Sequence, residues 1–280
     1  MKIRESKCKS AIGKCGFPSG GWAINPYVGC AHGCVYCYAR FMRRFTGHLE
    51  EWGSFVDAKV NIAEVLRKQM QSKKFQMGQI FIGTVTDPYQ PLEEKYQLTR
   101  DILKVLINYK NPVSILTKSD LVLRDIDLLK QFQNLDVGFS ITTLDEKWKK
   151  LTEPNSPSVK KRFQAMEKLK SAGISLFVMM GPYWPVFTDP EALFKEFKKV
   201  GVGQVFTESL NTIGGNWTGV GRILKKHYPE ILLVMEDIFF KKKKFYQFYS
   251  AAQRKIEELS KRYRIPVTIY FGLGHAAKFE

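Results

Sequence analysis

The stretch Asn25-Pro26-Tyr27-Val28-Gly29-Cys30-Ala31-His32-Gly33-Cys34-Val35-Tyr36-Cys37-Tyr38 sets three thiols in a C-x3-C-x2-C pattern. Thiolates are soft ligands that hold iron–sulfur clusters and zinc. Three of them on a four-iron cube leave one iron open to a ligand that is not protein. Zinc competes with this reading. A structural zinc site shows a second C-x-x-C or a His pair at comparable spacing, and the sequence has neither. His32 could supply a fourth ligand, but it lies inside the same short loop, which makes tetrahedral closure awkward. Plain buried cysteines compete too, yet they would not need Gly29 and Gly33 beside the thiols. Glycines let backbone wrap closely round a cluster and aim N–H groups at its sulfurs. The pattern therefore points to a [4Fe-4S] cluster on Cys30, Cys34 and Cys37.

Working outward, short apolar, β-branched runs alternate with helical periodicity. The runs 22–25, 79–83, 113–117, 137–142, 176–181, 204–207 and 267–271 read as buried parallel strands. Ser156-Pro157 predicts the start of a helix that runs to Gly173, and Asp189-Pro190 opens another. Residues 98–106 and 121–132 carry helical spacing, while 231–235 is ambiguous between strand and helix. Repeated β-then-α units cross over right-handed and curl the sheet. The expected fold is α/β, an incomplete (β/α)6-type partial TIM barrel with parallel strands, its chemistry beyond the strand C-termini. Thr84-Val85-Thr86-Asp87, Lys118-Ser119, Ser140 and Thr142 follow strands at that rim, as the cysteine loop does. No linker or repeat divides the chain, so residues 22–280 are expected as one domain with a C-terminal substrate-side extension. Residues 1–21 are expected as a loosely held N-terminal arm or lid.

The 280 residues are 44% hydrophobic and 25% charged, ordinary for a globular protein large enough to bury a core. No apolar run has the length of a membrane span and Met1-Lys2-Ile3-Arg4 opens no secretory signal, which predicts a cytoplasmic protein. Five cysteines, none after Cys37, do not form a disulfide framework. Lys and Arg number 44 against 27 Asp and Glu, a net charge of +17 that suits a polyanionic partner. Lys241, Lys242, Lys243 and Lys244 precede Phe245, Tyr246, Phe248 and Tyr249. That segment reads as a backbone track with stacking rings, or as a surface helix whose aromatics pack inward.

The cysteine pattern followed by an aromatic resembles the signature of the radical S-adenosylmethionine (SAM) superfamily. Within it, the run from Asn25-Pro26-Tyr27 through Tyr36-Cys37-Tyr38-Ala39-Arg40 resembles the spore photoproduct lyase-like branch, whose members are DNA repair lyases. Gly83-Thr84-Val85-Thr86-Asp87-Pro88-Tyr89-Gln90-Pro91, Leu116-Thr117-Lys118-Ser119 and Glu153-Pro154-Asn155-Ser156-Pro157 resemble that branch too. The resemblance implies a cluster whose free iron is chelated by SAM. One electron from a reductant-charged cluster then cleaves SAM to methionine and a 5′-deoxyadenosyl radical that takes hydrogen from the substrate. It also implies that Thr86 and Asp87 lie by the methionine amino group and that Lys118, Ser140 and Thr142 lie near the SAM carboxylate and ribose. Tyr36 and Tyr38 match tyrosines that would relay a hydrogen atom, or they pack against the cluster and adenine.

The resemblance has departures. The lyase keeps a cysteine beside its SAM loop, where Val85 stands here. Cys8 and Cys15 could supply a thiol or are surface thiols without a role, and the segment after Glu236-Asp237 is shorter than the lyase's basic hairpin. His275 is assigned nothing, and Trp184 reads as a core or rim aromatic. The leading expectation is therefore a radical SAM enzyme acting on a nucleic acid. The alternatives are modification of a peptide or small metabolite, and a metal-braced nucleic-acid-binding module without catalysis.

Overall fold

In the computed structural model, which describes residues 1–17 and 19–272, all seven apolar runs form strands whose ends move by at most two residues. Two compact units emerge from interleaved segments of the chain. The first comprises Met1–Gly33, Ala39–Phe139 and Asn155–Leu176; the second comprises Cys34–Tyr38, Ser140–Pro154 and Phe177–Glu280.

The strands of the first unit are β1 (Lys2–Ser6), β2 (Ile12–Lys14), β3 (Trp22–Ile24), β4 (Tyr27–Val28), β5 (Phe55–Lys59), β6 (Ile80–Ile82), β7 (Val113–Thr117) and β8 (Leu135–Ser140). β3, β6, β7 and β8 run parallel in that order, and β2 lies antiparallel on the β3 edge. Register places Ile24, Ile82, Ile115 and Val137 in one row across the sheet, and all four are buried. Continuous apolar strands of this kind need cover on both faces, as parallel sheets do.

The first 21 residues are not a loose arm. β1 pairs in parallel with β5, which β4 joins from its other side, and β2 pairs with β3. Ala11 and Ile12 are buried and the Gln69 side-chain oxygen accepts from both their backbone N–H groups, while β1, largely exposed, is held by its backbone pairing and by Arg4 on Asp57. β5 went unread in the sequence because Asp57 and Lys59 interrupt its apolar run.

Helices differ from expectation where side chains compete with the backbone. Residues 98–106 form a helix as predicted, but 121–132 splits into a 3-10 turn, Asp120–Asp125, and a short helix, Ile126–Leu129. Asp125 breaks the run: its buried carboxylate accepts from Arg100, Arg124 and Tyr89. The helix expected from Ser156-Pro157 is Val159–Ser171, capped by Ser158, whose hydroxyl accepts from the Lys161 N–H. Ser156 instead accepts from the Arg162 guanidinium at 2.7 Å.

The second unit carries β9 (Ser175–Met180), β10 (Gln204–Glu208) and β11 (Val267–Tyr270), parallel in that order. Asp189 caps the helix Pro190–Val200, and Gly201 ends it in the left-handed region. The ambiguous residues 231–235 lie within the helix Pro229–Phe240. An aromatic core forms where Trp148 stacks on Phe187 at 3.9 Å and meets Trp184 edge-on at 5.3 Å. Each such pair adds about 0.5–1.5 kcal/mol beyond area burial. No helix among the described residues is long and apolar enough to cross a membrane. His275 lies outside the described residues.

Candidate active site

In the first unit the loop around Cys30 is clamped by side chains from three directions. Cys30 is buried, one residue after Gly29, whose φ is +85°. A Cβ at Gly29 would collide with the Phe55 carbonyl oxygen, so no other residue lets the chain pass here. The Thr86 hydroxyl donates to the Gly29 carbonyl at 2.6 Å. The Gln90 side-chain oxygen accepts from the Ala31 N–H at 2.8 Å, while its nitrogen donates to Thr86 Oγ1 at 3.1 Å. Asn155 closes the third side, donating from Nδ2 to the Ala31 carbonyl at 3.0 Å and from its backbone N–H to the His32 carbonyl at 3.3 Å. Further along, a Cβ built on Gly53 would stand 2.6 Å from the Gly33 Cα, so these two backbones touch.

Asp87 ties this loop to the end of β7. Its carboxylate accepts from Thr117 Oγ1 at 2.6 Å, the Lys118 N–H at 2.8 Å and the Tyr89 N–H at 2.9 Å, and it faces His32 Nδ1 at 3.3 Å. Burial by itself would raise this carboxyl, but the His32 charge and these donors hold it down at about 2. Burial likewise works against a charged His32, and the Asp87 carboxylate overcomes it, raising the imidazole. His32 is thus engaged by Asp87, and it also neighbours the Cys30 thiol.

In the second unit the loop continues through Cys34, buried, and Cys37, half-buried. The Cys37 N–H donates to the Cys34 carbonyl at 3.2 Å, and the Val35 N–H donates to the Thr152 carbonyl at 2.9 Å. Tyr36 is buried; its hydroxyl donates to Glu153 and its ring meets Trp184 edge-on at 5.3 Å. Tyr38 is 41% exposed. Ser140, the last residue of β8, and Thr142 are both buried, and the Thr142 carbonyl accepts from Thr188 Oγ1 at 2.7 Å. Trp184 is a core residue, as read.

Gln90, Asn155 and Glu153 carried no role in the sequence reading, although all three lie in the quoted stretches. The signal was their position in those stretches; their reach back to the cysteine loop is visible only in three dimensions. Cys8 and Cys15 are half-buried, and burial pushes the Cys8 thiol up, which makes it a poorer nucleophile.

The donor set fits a cluster. Three soft thiols sit on one short loop, and Gly29, Gln90 and Asn155 shape its backbone around Cys30. Among the described residues no three His, Cys, Asp or Glu side chains converge on one point as ligands of a single ion do. A four-iron cube takes each thiolate at a separate iron.

Comparison with known proteins agrees with this chemistry. The model of the radical SAM superfamily matches residues 24–206. An uncharacterized protein of Methanocaldococcus jannaschii is 39% identical over 71% of this chain and 74% of its own length. A radical SAM Nalpha-GlyT isomerase of Pseudomonas phage M6 is 26% identical over 76% of this chain and 45% of its own. Among solved structures, a C140S mutant of spore photoproduct lyase superposes with a TM-score of 0.71 at 15% identity, covering 96% of this chain and 82% of the lyase chain. That likeness shows the fold, the incomplete barrel expected from the alternating strands and helices.

Proposed function

Because the chain belongs to the radical SAM superfamily, we propose that this radical SAM enzyme acts on a nucleic acid, with Cys30, Cys34 and Cys37 as cluster ligands. The [4Fe-4S] cluster and SAM are its cofactors. When bound, they supply a 5′-deoxyadenosyl radical by one-electron cleavage of SAM. The chain's own task is to hold three thiolates in place, leave a coordination position open and keep water from the reacting carbon. Thr86, Gln90 and Asn155 do the holding. Asp87 fixes the turn after β6 against β7, where Lys118 offers a cation to the SAM carboxylate, and Ser140 and Thr142 offer hydroxyls to the ribose.

The observation that carries the nucleic-acid reading is the net charge of +17 on a chain of this fold. Lys241, Lys242, Lys243 and Lys244 are all exposed, as a phosphate track requires. One structural neighbour supports the same reading: a spore photoproduct lyase structure holds AdoMet with a dinucleoside spore photoproduct. A lyase-type DNA repair reaction and a cytoplasmic location belong to this same reading, the latter because free thiols and a cluster suit a reducing compartment.

The test is anaerobic reconstitution, then SAM and dithionite. We expect 5′-deoxyadenosine release, and release that accelerates when oligonucleotide is added. Release that no DNA or RNA alters, together with no binding of either at low salt, would redirect the assignment to a peptide or small metabolite.

A further inference from the structure

The structure shows a second basic-aromatic surface besides the one the sequence places after Lys241–Lys244. On the helix Lys242–Tyr263, Phe245 and Tyr249 are buried, so the run after Lys241–Lys244 keeps its charge and one exposed ring, Tyr246, at 44%. The 3-10 helix Tyr38–Phe45, which begins one residue after Cys37, leaves two phenylalanines exposed. Phe41 is 39% exposed, Phe45 67% and, beyond the helix, Leu49 87%. Arg44 lies with its guanidinium carbon 5.5 Å from the Phe41 ring centre and 4.7 Å from that of Phe45. Arg40 and Arg43 flank these rings, and no acidic residue occurs between Cys37 and Glu50.

The base of this segment is fixed while its face stays open. His48 is buried between Asp57 and Glu50 and stacks on Phe55 at 4.1 Å. The His48 carbonyl accepts from Arg43 Nε at 3.3 Å, the Arg43 carbonyl from Thr46 Oγ1 at 2.7 Å, and the Thr46 carbonyl from Arg4 Nη2 at 3.2 Å. Exposed apolar side chains scattered singly need no explanation, but two rings set edge-on at 6.5 Å and sharing one arginine form a surface of definite chemistry. Flat π faces accept unpaired bases without regard to sequence, and the guanidinium groups meet phosphates.

We propose that Phe41, Arg44 and Phe45 form a stacking site for single-stranded nucleic acid. The assignment rests on the nucleic-acid reading above and adds where on the chain unpaired bases are gripped. The expected order of affinity is single strand over duplex, because paired bases hide the faces the rings need.

The test measures fluorescence anisotropy of a fluorescein-labelled, mixed-sequence single-stranded DNA 20-mer and of its duplex, across a salt series. Four proteins are compared: the parent, F41A/F45A, F41W/F45W and a fourfold Lys241–Lys244 to Gln variant. We expect F41A/F45A to lose at least about tenfold in affinity for the single strand. Its salt slope and melting temperature should stay unchanged, and F41W/F45W should bind as well as the parent. The lysine variant should instead flatten the salt slope. Parent-like affinity in F41A/F45A, beside a parent that binds, would overturn the stacking site alone. A parent that binds neither oligonucleotide would overturn both the site and the nucleic-acid reading, and binding to phosphatidylserine vesicles in its place would reassign the surface.

Discussion

The side-chain oxygen of Gln90 accepts the backbone N–H of Ala31 at 2.8 Å, one residue past Cys30, from a position with no exposure to solvent. A buried amide that satisfies a loop N–H and also reaches Thr86 fixes the shape of that loop without being a ligand. Gln90→Ala leaves the Ala31 N–H unpaired, at a cost of about 1–3 kcal/mol. We expect a lower melting temperature and less than half the parent's iron and sulfide per chain after reconstitution. Parent-like iron content would show that the clamp is dispensable.

Removing a thiol acts on the cofactor more than on the fold. Cys34→Ala should give a folded protein with a normal circular dichroism spectrum but no visible absorbance after reconstitution. Its 5′-deoxyadenosine release should fall to the level of a protein-free control. Retained broad absorbance that dithionite bleaches would mean that Cys34 is not a ligand.

The β1–β5 pair carries a pH-sensitive contact. Arg4 donates to both Asp57 oxygens at 2.8 Å, and His48 approaches one of them at 2.9 Å. Burial favours the neutral acid, but Arg4 and His48 together hold the Asp57 carboxyl below its ordinary value. A carboxyl depressed on folding contributes stability above its unfolded value of about 3.9, and loses that contribution as pH falls through the folded value. Asp57→Asn should therefore melt several degrees below the parent at pH 7, with the gap closing below about pH 4. A gap independent of pH would remove the carboxylate from the account.

Two glycines separate backbone strain from crowding. Gly53 and Gly47 both have positive φ, +96° and +68°. A Cβ at Gly53 would meet the Gly33 Cα at 2.6 Å, whereas Gly47 faces open space. Gly47→Ala should cost about 1 kcal/mol from conformation alone. Gly53→Ala should cost more and also lower cluster retention, as read by denaturant unfolding and iron content. Equal effects on both would mean that the Gly33 contact carries no weight.

The sequence made the parallel strands legible because a strand covered on both faces spells itself as a continuous apolar run, as Ile80–Ile82 and Val113–Thr117 do. It hid β1 and β5 because charged side chains on these strands pair with each other, Arg4 with Asp57, and so break the apolar pattern. The cysteines were legible from spacing alone. What holds them was not, since Gln90 and Asn155 act on residues far away in the chain. The basic run at Lys241–Lys244 illustrates the limit in reverse: side-chain types showed aromatics beside lysines, but only helix phase decides that Phe245 and Tyr249 turn inward while Phe41 and Phe45 do not.

The touch of Gly33 on Gly53 means that residues 34–52 leave the scaffold and come back to the same spot. Such an excursion has fixed feet and further anchors along its length, Tyr36 and His48 both being buried. Its closure entropy grows only slowly with length, about 0.6 kcal/mol for each doubling. Because Cys34 and Cys37 lie on this excursion, beside Phe41 and Phe45, any recutting of it reaches the proposed cluster ligands as well, so target choice and radical-generating chemistry are tied to one segment of chain.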